Sequence, residues 1–307
     1  MARAPWQADD IDGVTHLDTD APVGSLVEAG ARVDQPWELV VVDNGSSDDT
    51  ADVIRGFADR LPVRYVHQPI AGLSNARNAG VAASTGRYII WTDDDVLVDA
   101  AWLTVYFAAF AERPDHAIFG GRTEPVLEEP HQPWFKANAH RLGSLLAVRD
   151  EPSWREITPQ RVPYGLNYAI RGQEQRRHLY DPELGVAPGR RRGGEEVAVI
   201  RAILEEGGRG SWVWDATVYH LIPAARQTEA YIEQFYTAVS LDHPLYTRDT
   251  GLVARAIASL RCVVKYLRAD RQYRRALKTG GLEAATPWLI LRTRASGSLR
   301  RYLTGVS

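Results

Sequence analysis

Between residues 39 and 112, short β-branched runs alternate with helical patterns, and this alternation restricts the fold more than any other feature of the chain. "LVVV" (39–42) reads as a buried strand. In "SSDDTADVIRGFADRL", Val53, Ile54, Phe57 and Leu61 fall on one helical face behind hydroxyl and Asp caps. "VRYV" (63–66) reads as a second strand, "SNARNAGVAAS" (74–84) as a small-residue helix opened by Ser74, and "RYIIW" (87–91) as a third strand. Asp99 then caps a helix carrying Leu103, Tyr106, Phe107 and Phe110. Strand–helix–strand–helix–strand–helix predicts an α/β fold, a mostly parallel sheet flanked by helices. Further strands are expected at "HAIFGG" (116–121), "YGLNYAIR" (164–171) and "SWVWDATVYH" (211–220), and a helix from Glu195 to Glu206 that Gly207 and Gly208 stop. After Gln227 the pattern is helical. Residues 1–24, with five aspartates and scattered aliphatics, match neither period and read as loose.

Ligands of open parallel sheets gather beyond the carboxyl ends of the strands. Two strands deliver acids there. "LVVV" runs into Asp43, and "YIIW" runs, one Thr later, into Asp93, Asp94 and Asp95. Like charges about 4 Å apart repel by roughly 1 kcal/mol even in water. Alternate residues of an extended segment point the same way, so Asp93 and Asp95 are expected to converge on one cation while Asp94 points elsewhere. A hard divalent ion held by one or two carboxylates shares its shell with phosphate oxygens. The plainer reading is a solvated acidic turn.

The other candidates carry similar pairs of readings. Asp43 opens "DNGSSDDT", which is either a turn built on Asn44-Gly45 or an acid poised beside a base or ribose. Arg77 falls in the first turn of a helix, where a cation needs an anion: a bound phosphate or a protein acid. Glu195 and Glu196 open a helix behind two glycines, as routine dipole complements or as carboxylates exposed on a mobile loop for base catalysis. His220 ends a strand and is either structural or a metal ligand.

"VVVDNGSSDDT", "GLSNARNAG", "IIWTDDD", "YGLNYAIR", "GGEEVAVIRAILEEGG" and "ATVYH", in this order, resemble the family 2 glycosyltransferases of the GT-A fold, from about Ser25 to about Tyr236. The resemblance implies a metal-dependent, inverting hexosyltransferase that moves a sugar from a nucleotide-diphosphate donor to an acceptor hydroxyl, with Mn2+ or Mg2+ as cofactor. Asp43, Asn44, Arg77, Asp93 and Asp94 would bind the donor. Asp93 and Asp95 would form the DxD element and, with His220, hold the metal. Glu195 and Glu196 would be the acidic pair whose second member takes the acceptor's proton. The implied acceptor is a carbohydrate or glycolipid, as in cell-envelope polysaccharide synthesis, or a glycosylated metabolite; Trp134, Trp154 and Tyr164 are candidates for its side of the site. A catalytically impaired relative, binding nucleotide or serving as a scaffold, is the alternative. A nucleotidyltransferase would need a Gly- and Lys/Arg-rich phosphate loop after its first strand, and none is present. Family members open with a strand of the type "VSVIIPTYNR", and residues 1–24 hold no counterpart. Each neighbouring backbone group left without a partner would cost on the order of 1–3 kcal/mol if buried.

The expected domains are an atypical segment at 1–24, the GT-A domain at 25–226 and a basic helical extension at 227–307. Net charge is −3, which argues against nucleic acid as a partner. That average conceals a split: residues 251–307 hold twelve Lys/Arg against two acids, a net of +10, which leaves −13 on the rest. Val253, Ile257, Leu260, Val264 and Leu267 form one helical stripe there, with Arg255, Arg261, Lys265 and Arg268 beside or behind it. Such a segment is either a packed helix with a solvated cationic face or a peripheral membrane foot. One cysteine, Cys262, excludes an internal disulfide. No apolar run approaches the roughly 20 residues of a membrane span. The expected location is cytoplasmic, with peripheral contact at the inner membrane face.

Overall fold

Leu39 and three consecutive valines favour extended backbone, and in the computed structural model they form β1 (Leu39–Asp43), paired in parallel with β2 (Val63–His67). The structure describes residues 20–149, 151–188, 190–191, 193–241 and 251–304. They divide into two compact units, 20–126 with 147–222, and 127–146 with 223–304. The helical unit expected from residue 227 onward thus also takes in 127–146. Of the segment 1–24, residues 1–19 lie outside the described residues; the remainder opens α1 (Asp20–Gly30).

In the first unit, α2 (Thr50–Arg55) is shorter than its periodicity suggests, yet Ile54, Phe57 and Leu61 are all buried. Next come α3 (Leu73–Ala83), β3 (Tyr88–Trp91), β4 (Val96–Val98) and α4 (Trp102–Glu112). Beyond them lie β5 (Ile118–Leu127), β6 (Tyr168–Arg171), α6 (Gly172–Arg177), the short pair β7 (Val186–Ala187) and β8 (Arg190–Arg191), α7 (Glu195–Glu205) and β9 (Gly210–Ile222). A five-stranded sheet runs β3-β6-β5-β9-β4.

The α/β class is as expected, but pairing direction is not. β3–β6, β5–β6 and β4–β9 are antiparallel, and β1–β2 is parallel. Strand–helix alternation bears on direction only between strands that follow one another in the chain, whereas β3 pairs with β6 and β4 with β9. Among the described residues, β1 has a strand neighbour only in β2 and β3 only in β6. Helix α3 bridges them: a Cβ on Gly80 would lie 3.3 Å from Trp91 of β3 and 3.5 Å from Val42 of β1.

Successive strand residues face opposite sides, so the sheet supports two cores. Phe119, Ala169, Val213 and Val218 pack with Val23, Leu26 and Ala29 of α1 and with Trp102, Leu103, Tyr106 and Phe110 of α4. Ile118, Tyr168, Ile170 and Trp212 pack on the other side with Val81 of α3 and Val199, Ile200 and Ile203 of α7. Truncating a buried ring such as Phe119 to Ala would cost about 3–5 kcal/mol. Asn167 ties this interior together: its Oδ1 accepts from Trp102 Nε1 (3.0 Å) and Tyr106 Oη (2.8 Å), and its Nδ2 donates to Arg122 O (2.7 Å) and Ala216 O (2.8 Å).

The second unit is helical: α5 (Pro133–Ala137), α8 (Glu229–Leu241) and α9 (Leu252–Thr304). Helix α9 is two helices meeting at Gly280–Gly281, where Gly281 takes φ 61°, a region favourable only to glycine. Its second half packs on α8 closely enough that a Cβ on Gly297 would meet Thr237 O at 2.8 Å. Arg292 joins Glu233, Glu229 (3.8 Å) and Asp270 (3.5 Å), with its guanidinium 4.1 Å from the centre of the Tyr273 ring. Trp134, an expected acceptor-side residue, belongs to α5 of this unit and packs edge-on against Phe135.

Candidate active site

Helix α3 organises the site, one side chain per contact. Ser74 does not cap it, since Gly72 holds that position; instead Ser74 Oγ donates to Leu184 O at 2.8 Å. Asn78 clamps Tyr180 by two backbone bonds of 2.8 Å. Between them, Arg77 is buried and donates to Glu195 Oε1 (2.7 Å), to Gly165 O (3.1 Å) and to Asp93 Oδ1 (3.4 Å). The anion that a cation near this helix N-terminus demands is therefore protein carboxylate. Three rings enclose the guanidinium, those of Trp91 (6.0 Å), Tyr168 (5.9 Å) and Tyr180 (5.6 Å). Tyr168 and Tyr180 bond hydroxyl to hydroxyl at 2.5 Å, and Gln175 Oε1 accepts from Tyr180 and Trp91, both at 3.1 Å.

The acidic pair is split by this arrangement. Glu195 is buried in its ion pair rather than exposed at a loop, because Gly185 (φ 82°) and Gly194 (φ 88°) bend the chain and draw the start of α7 onto Arg77. Glu196 is half-buried. Burial, then the adjacent Glu195 charge, push its carboxyl up to about 7, against the pull of Arg77. Such a carboxyl shares protons with water near neutral pH.

The aspartate triplet is divided as well. Asp93 lies against Arg77, Asp94 is exposed, and Asp95 Oδ2 lies 3.4 Å from His220 Nε2. Register explains the last contact: β4 and β9 pair Val96 with His220, and Leu221 N donates to Asp95 O at 2.9 Å. Burial raises Asp93 to about 7 against the lowering by Arg77; 35% of its side chain stays open, so water tempers that shift. Among the described residues, no three His, Cys, Asp or Glu side chains form a metal-holding group. Asp95 with His220 is instead a pair of one oxygen and one nitrogen donor. That suits a cation whose remaining positions are filled by water and phosphate oxygens.

Asp43 and Asn44 organise the end of β1. Burial works against the Asp43 charge, but donation from Tyr65 Oη (2.5 Å) and Ser46 N (2.7 Å) holds its carboxyl below the usual value. Asn44 donates to Gln68 O and Ile70 O, both at 2.8 Å, and accepts from Gly72 N at 2.7 Å. It fastens β1 to the loop entering α3. Trp154 lies under the Arg113 guanidinium (5.1 Å) and Tyr164 under that of Arg149 (4.8 Å). The sequence reading did not find Tyr168, Tyr180 and Gln175. Tyr168 looks like any tyrosine of a strand, Gln175 like any residue of α6, and Tyr180 follows that helix without a motif.

Two comparisons of sequence and one of structure bear on this arrangement. Over 128 residues the chain is 29% identical to YibD of Escherichia coli K12, an uncharacterized glycosyltransferase, covering 40% of this chain and 36% of that protein. Over 120 residues it is 32% identical to hyaluronan synthase of Pasteurella multocida, covering 38% of this chain and 12% of that protein. These matches span well under half the length of either relative. A mannosyltransferase of Pyrobaculum calidifontis, solved with GDP-Man and Mn2+, has a similar fold: TM-score 0.55 at 17% identity, over 99% of this chain and 91% of that one. The fold is that of the GT-A glycosyltransferases. The profile described as Glycosyl transferase family 2 matches residues 24–178, half of the chain, and the protein belongs to that family.

Proposed function

We propose that the protein transfers a sugar from a nucleotide-diphosphate donor to an acceptor hydroxyl with inversion, and that Glu196 is the catalytic base. One observation carries this reading: Arg77 occupies Glu195, while the next residue keeps a half-buried carboxyl raised to about 7. A base is most effective when its pKa lies near the working pH. The acceptor O–H gives its proton to Glu196 as its oxygen bonds to the anomeric carbon. The bond from that carbon to the diphosphate breaks on the opposite face, and the diphosphate leaves with the electron pair. Glu195 is occupied by its ion pair with Arg77, 2.7 Å away.

Asp95 and His220 would hold Mn2+ or Mg2+, with Asp93 beside them; the ion would supply positive charge to the departing diphosphate. Asp94 is the triplet member most open to a donor. Asp43 and Asn44 would serve the donor by shaping the turn after β1, and Arg77 by aligning Asp93. The hyaluronan synthase likeness favours a carbohydrate or glycolipid acceptor, cell-envelope polysaccharide included. Among the described residues no helix is long and apolar enough to cross a membrane. The basic C-terminal helices would make a peripheral contact at the inner face.

Incubation with a panel of nucleotide sugars and Mn2+ tests the proposal. Nucleotide diphosphate should be released by the wild type, and Glu196→Gln should retain donor binding while losing release. The rival, a nucleotide-binding or scaffold protein, draws on the single-sided pairing of β1 and β3 among the described residues. Calorimetry separates the two: a chain that binds no nucleotide diphosphate with Mn2+ is not this enzyme.

A further inference from the structure

Residues 252–279, the first half of α9, carry two apolar stripes on opposite sides. Cys262, Ala269 and Tyr273 are buried and form the inward stripe. Outward, Ile257, Leu260, Val264 and Leu267 are 48%, 64%, 40% and 60% exposed. (The side chain of Val253, which continues this stripe in sequence, lies outside the described residues.) A helix on a water-facing surface needs only one apolar stripe, the one facing its own core. A second, contiguous and exposed, marks a surface that another body covers.

The charges around it identify that body. Arg261, Lys265 and Arg268 are exposed beside the stripe, and Arg271, Arg274, Arg275 and Lys278 are exposed in the turns that follow. Asp270 is the sole acid of this half-helix, and it is drawn to Arg274 at 2.8 Å and Arg292 at 3.5 Å. Every exposed charge on residues 254–279 is therefore positive. Arg255 is excluded from the set, because it is half-buried and donates to Tyr302 O at 2.7 Å.

We infer that the outward face of residues 257–278 docks on an anionic lipid surface, with Ile257, Leu260, Val264 and Leu267 entering the acyl boundary and the seven exposed cations meeting headgroup phosphates. The apolar spacing of three, four and three residues would equally suit a coiled-coil seam with a second copy. Charge decides against that occupant. A symmetric pair would bring two sets of cations together with no exposed acid on this half-helix to pair them. Headgroup phosphates neutralise them, and long Lys and Arg stems lie along apolar surface while their charges stay in the polar layer. The inference is independent of sugar transfer and holds whatever chemistry the first unit performs.

The test is flotation of the full chain with vesicles of phosphatidylcholine, with and without phosphatidylglycerol, at low and high salt. Light scattering gives the oligomeric state. Binding should require phosphatidylglycerol and weaken as salt rises. Each exposed cation near such a surface contributes roughly five-fold in partition, so the triple variant Arg261→Gln, Lys265→Gln, Arg268→Gln should lose on the order of a hundred-fold. Leu260→Ser with Leu267→Ser should lose binding while keeping the wild-type melting profile, since both side chains are exposed. Should either variant misfold, salt titration of the wild type still decides. Absence of flotation at low salt, or equal binding to both vesicle types, overturns the inference. So does a dimer that Leu260→Ser with Leu267→Ser dissociates.

Discussion

Two arginines, one in each unit, sit in matching surroundings and do different work. Arg77 touches Glu195 and Asp93 and is enclosed by three rings; Arg292 touches Glu229, Glu233 and Asp270 and lies over one. The difference is water. Arg77 and Glu195 are each only 5% exposed, although Asp93 is 35%; Arg292 is 16% exposed, and its acids run from 16% at Asp270 to 42% at Glu233. A sealed ion pair holds its geometry because no water competes for either charge; an open one is a clasp between helices that water can replace. The sealed arginine joins Glu195 of α7 to Asp93, which follows β3.

Removing the sealed charge should have the largest effect. Arg77→Met strands Glu195 without a counter-ion in a buried site, at a cost of about 3–5 kcal/mol. The midpoint of urea denaturation reads this directly. Donor-dependent activity should vanish with it, and a variant of unchanged stability would show that the pair is not the strut its geometry suggests.

Second in size is Glu196→Gln, expected to lower kcat by about 10²–10⁴. Its pH behaviour sharpens the contrast with Glu195. The wild-type kcat/KM should fall as pH drops below about 7, where Glu196 binds a proton and has none to accept. Stability runs the other way. The unfolded carboxyl ionises near 4.5 and the folded one near 7, so between these values the folded state binds more protons and stability declines as pH rises. Glu196→Gln escapes that decline. Above pH 7 it should melt later than the wild type, by on the order of 1 kcal/mol after allowance for the water that reaches a half-buried group. Identical melting curves at alkaline pH would remove the case for a raised carboxyl.

Gly165→Ala perturbs the sealed network without removing a charge. Its Cβ would stand 2.7 Å from Arg77 Nη2, and three rings with two carboxylates leave the guanidinium little room to yield. Overpacking of this kind costs about 1–3 kcal/mol. Activity should suffer more than stability, because a displaced guanidinium shifts Asp93 and Glu195 together. A fully active Gly165→Ala enzyme would mean that Arg77 is mobile.

What the chain discloses before folding is its local part. The β-branched run at 39–42, the helix that opens within "GLSN" and the two glycines at 207–208 stated their structures, since period and turn chemistry act over a few residues. Antiparallel pairing in the later strands was not legible, because β3 with β6 and β4 with β9 are partners far apart in the chain. Nor was the inclusion of 127–146 in the helical unit. The site followed the same division. That Arg77 needs an anion was readable from the helix N-terminus; that Glu195, far away in sequence, provides it was not. Asn44 looked like a turn residue facing a donor, but its amide is consumed by three backbone groups that only the fold brings near. Asp95 meets His220 through strand register, a property of pairing rather than of either segment.

The smallest expected effect belongs to the open arginine, and it gives the comparison its control. Arg292→Met leaves Glu229, Glu233 and Asp270 without their shared cation. Glu229 and Glu233 are each at least a third exposed, so water solvates them, and Tyr273 Oη still donates to Glu229 at 2.5 Å. Partly solvated pairs contribute about 0–1 kcal/mol each. Denaturation should therefore shift by roughly 1 kcal/mol, with a larger shift at low salt, where charges left near one another are least screened. Nucleotide-sugar turnover in the first unit should be unchanged. Were Arg292→Met to cost as much as Arg77→Met, exposure would not be what separates the two sites, and the distinction between strut and clasp would have to rest on the number of acids instead.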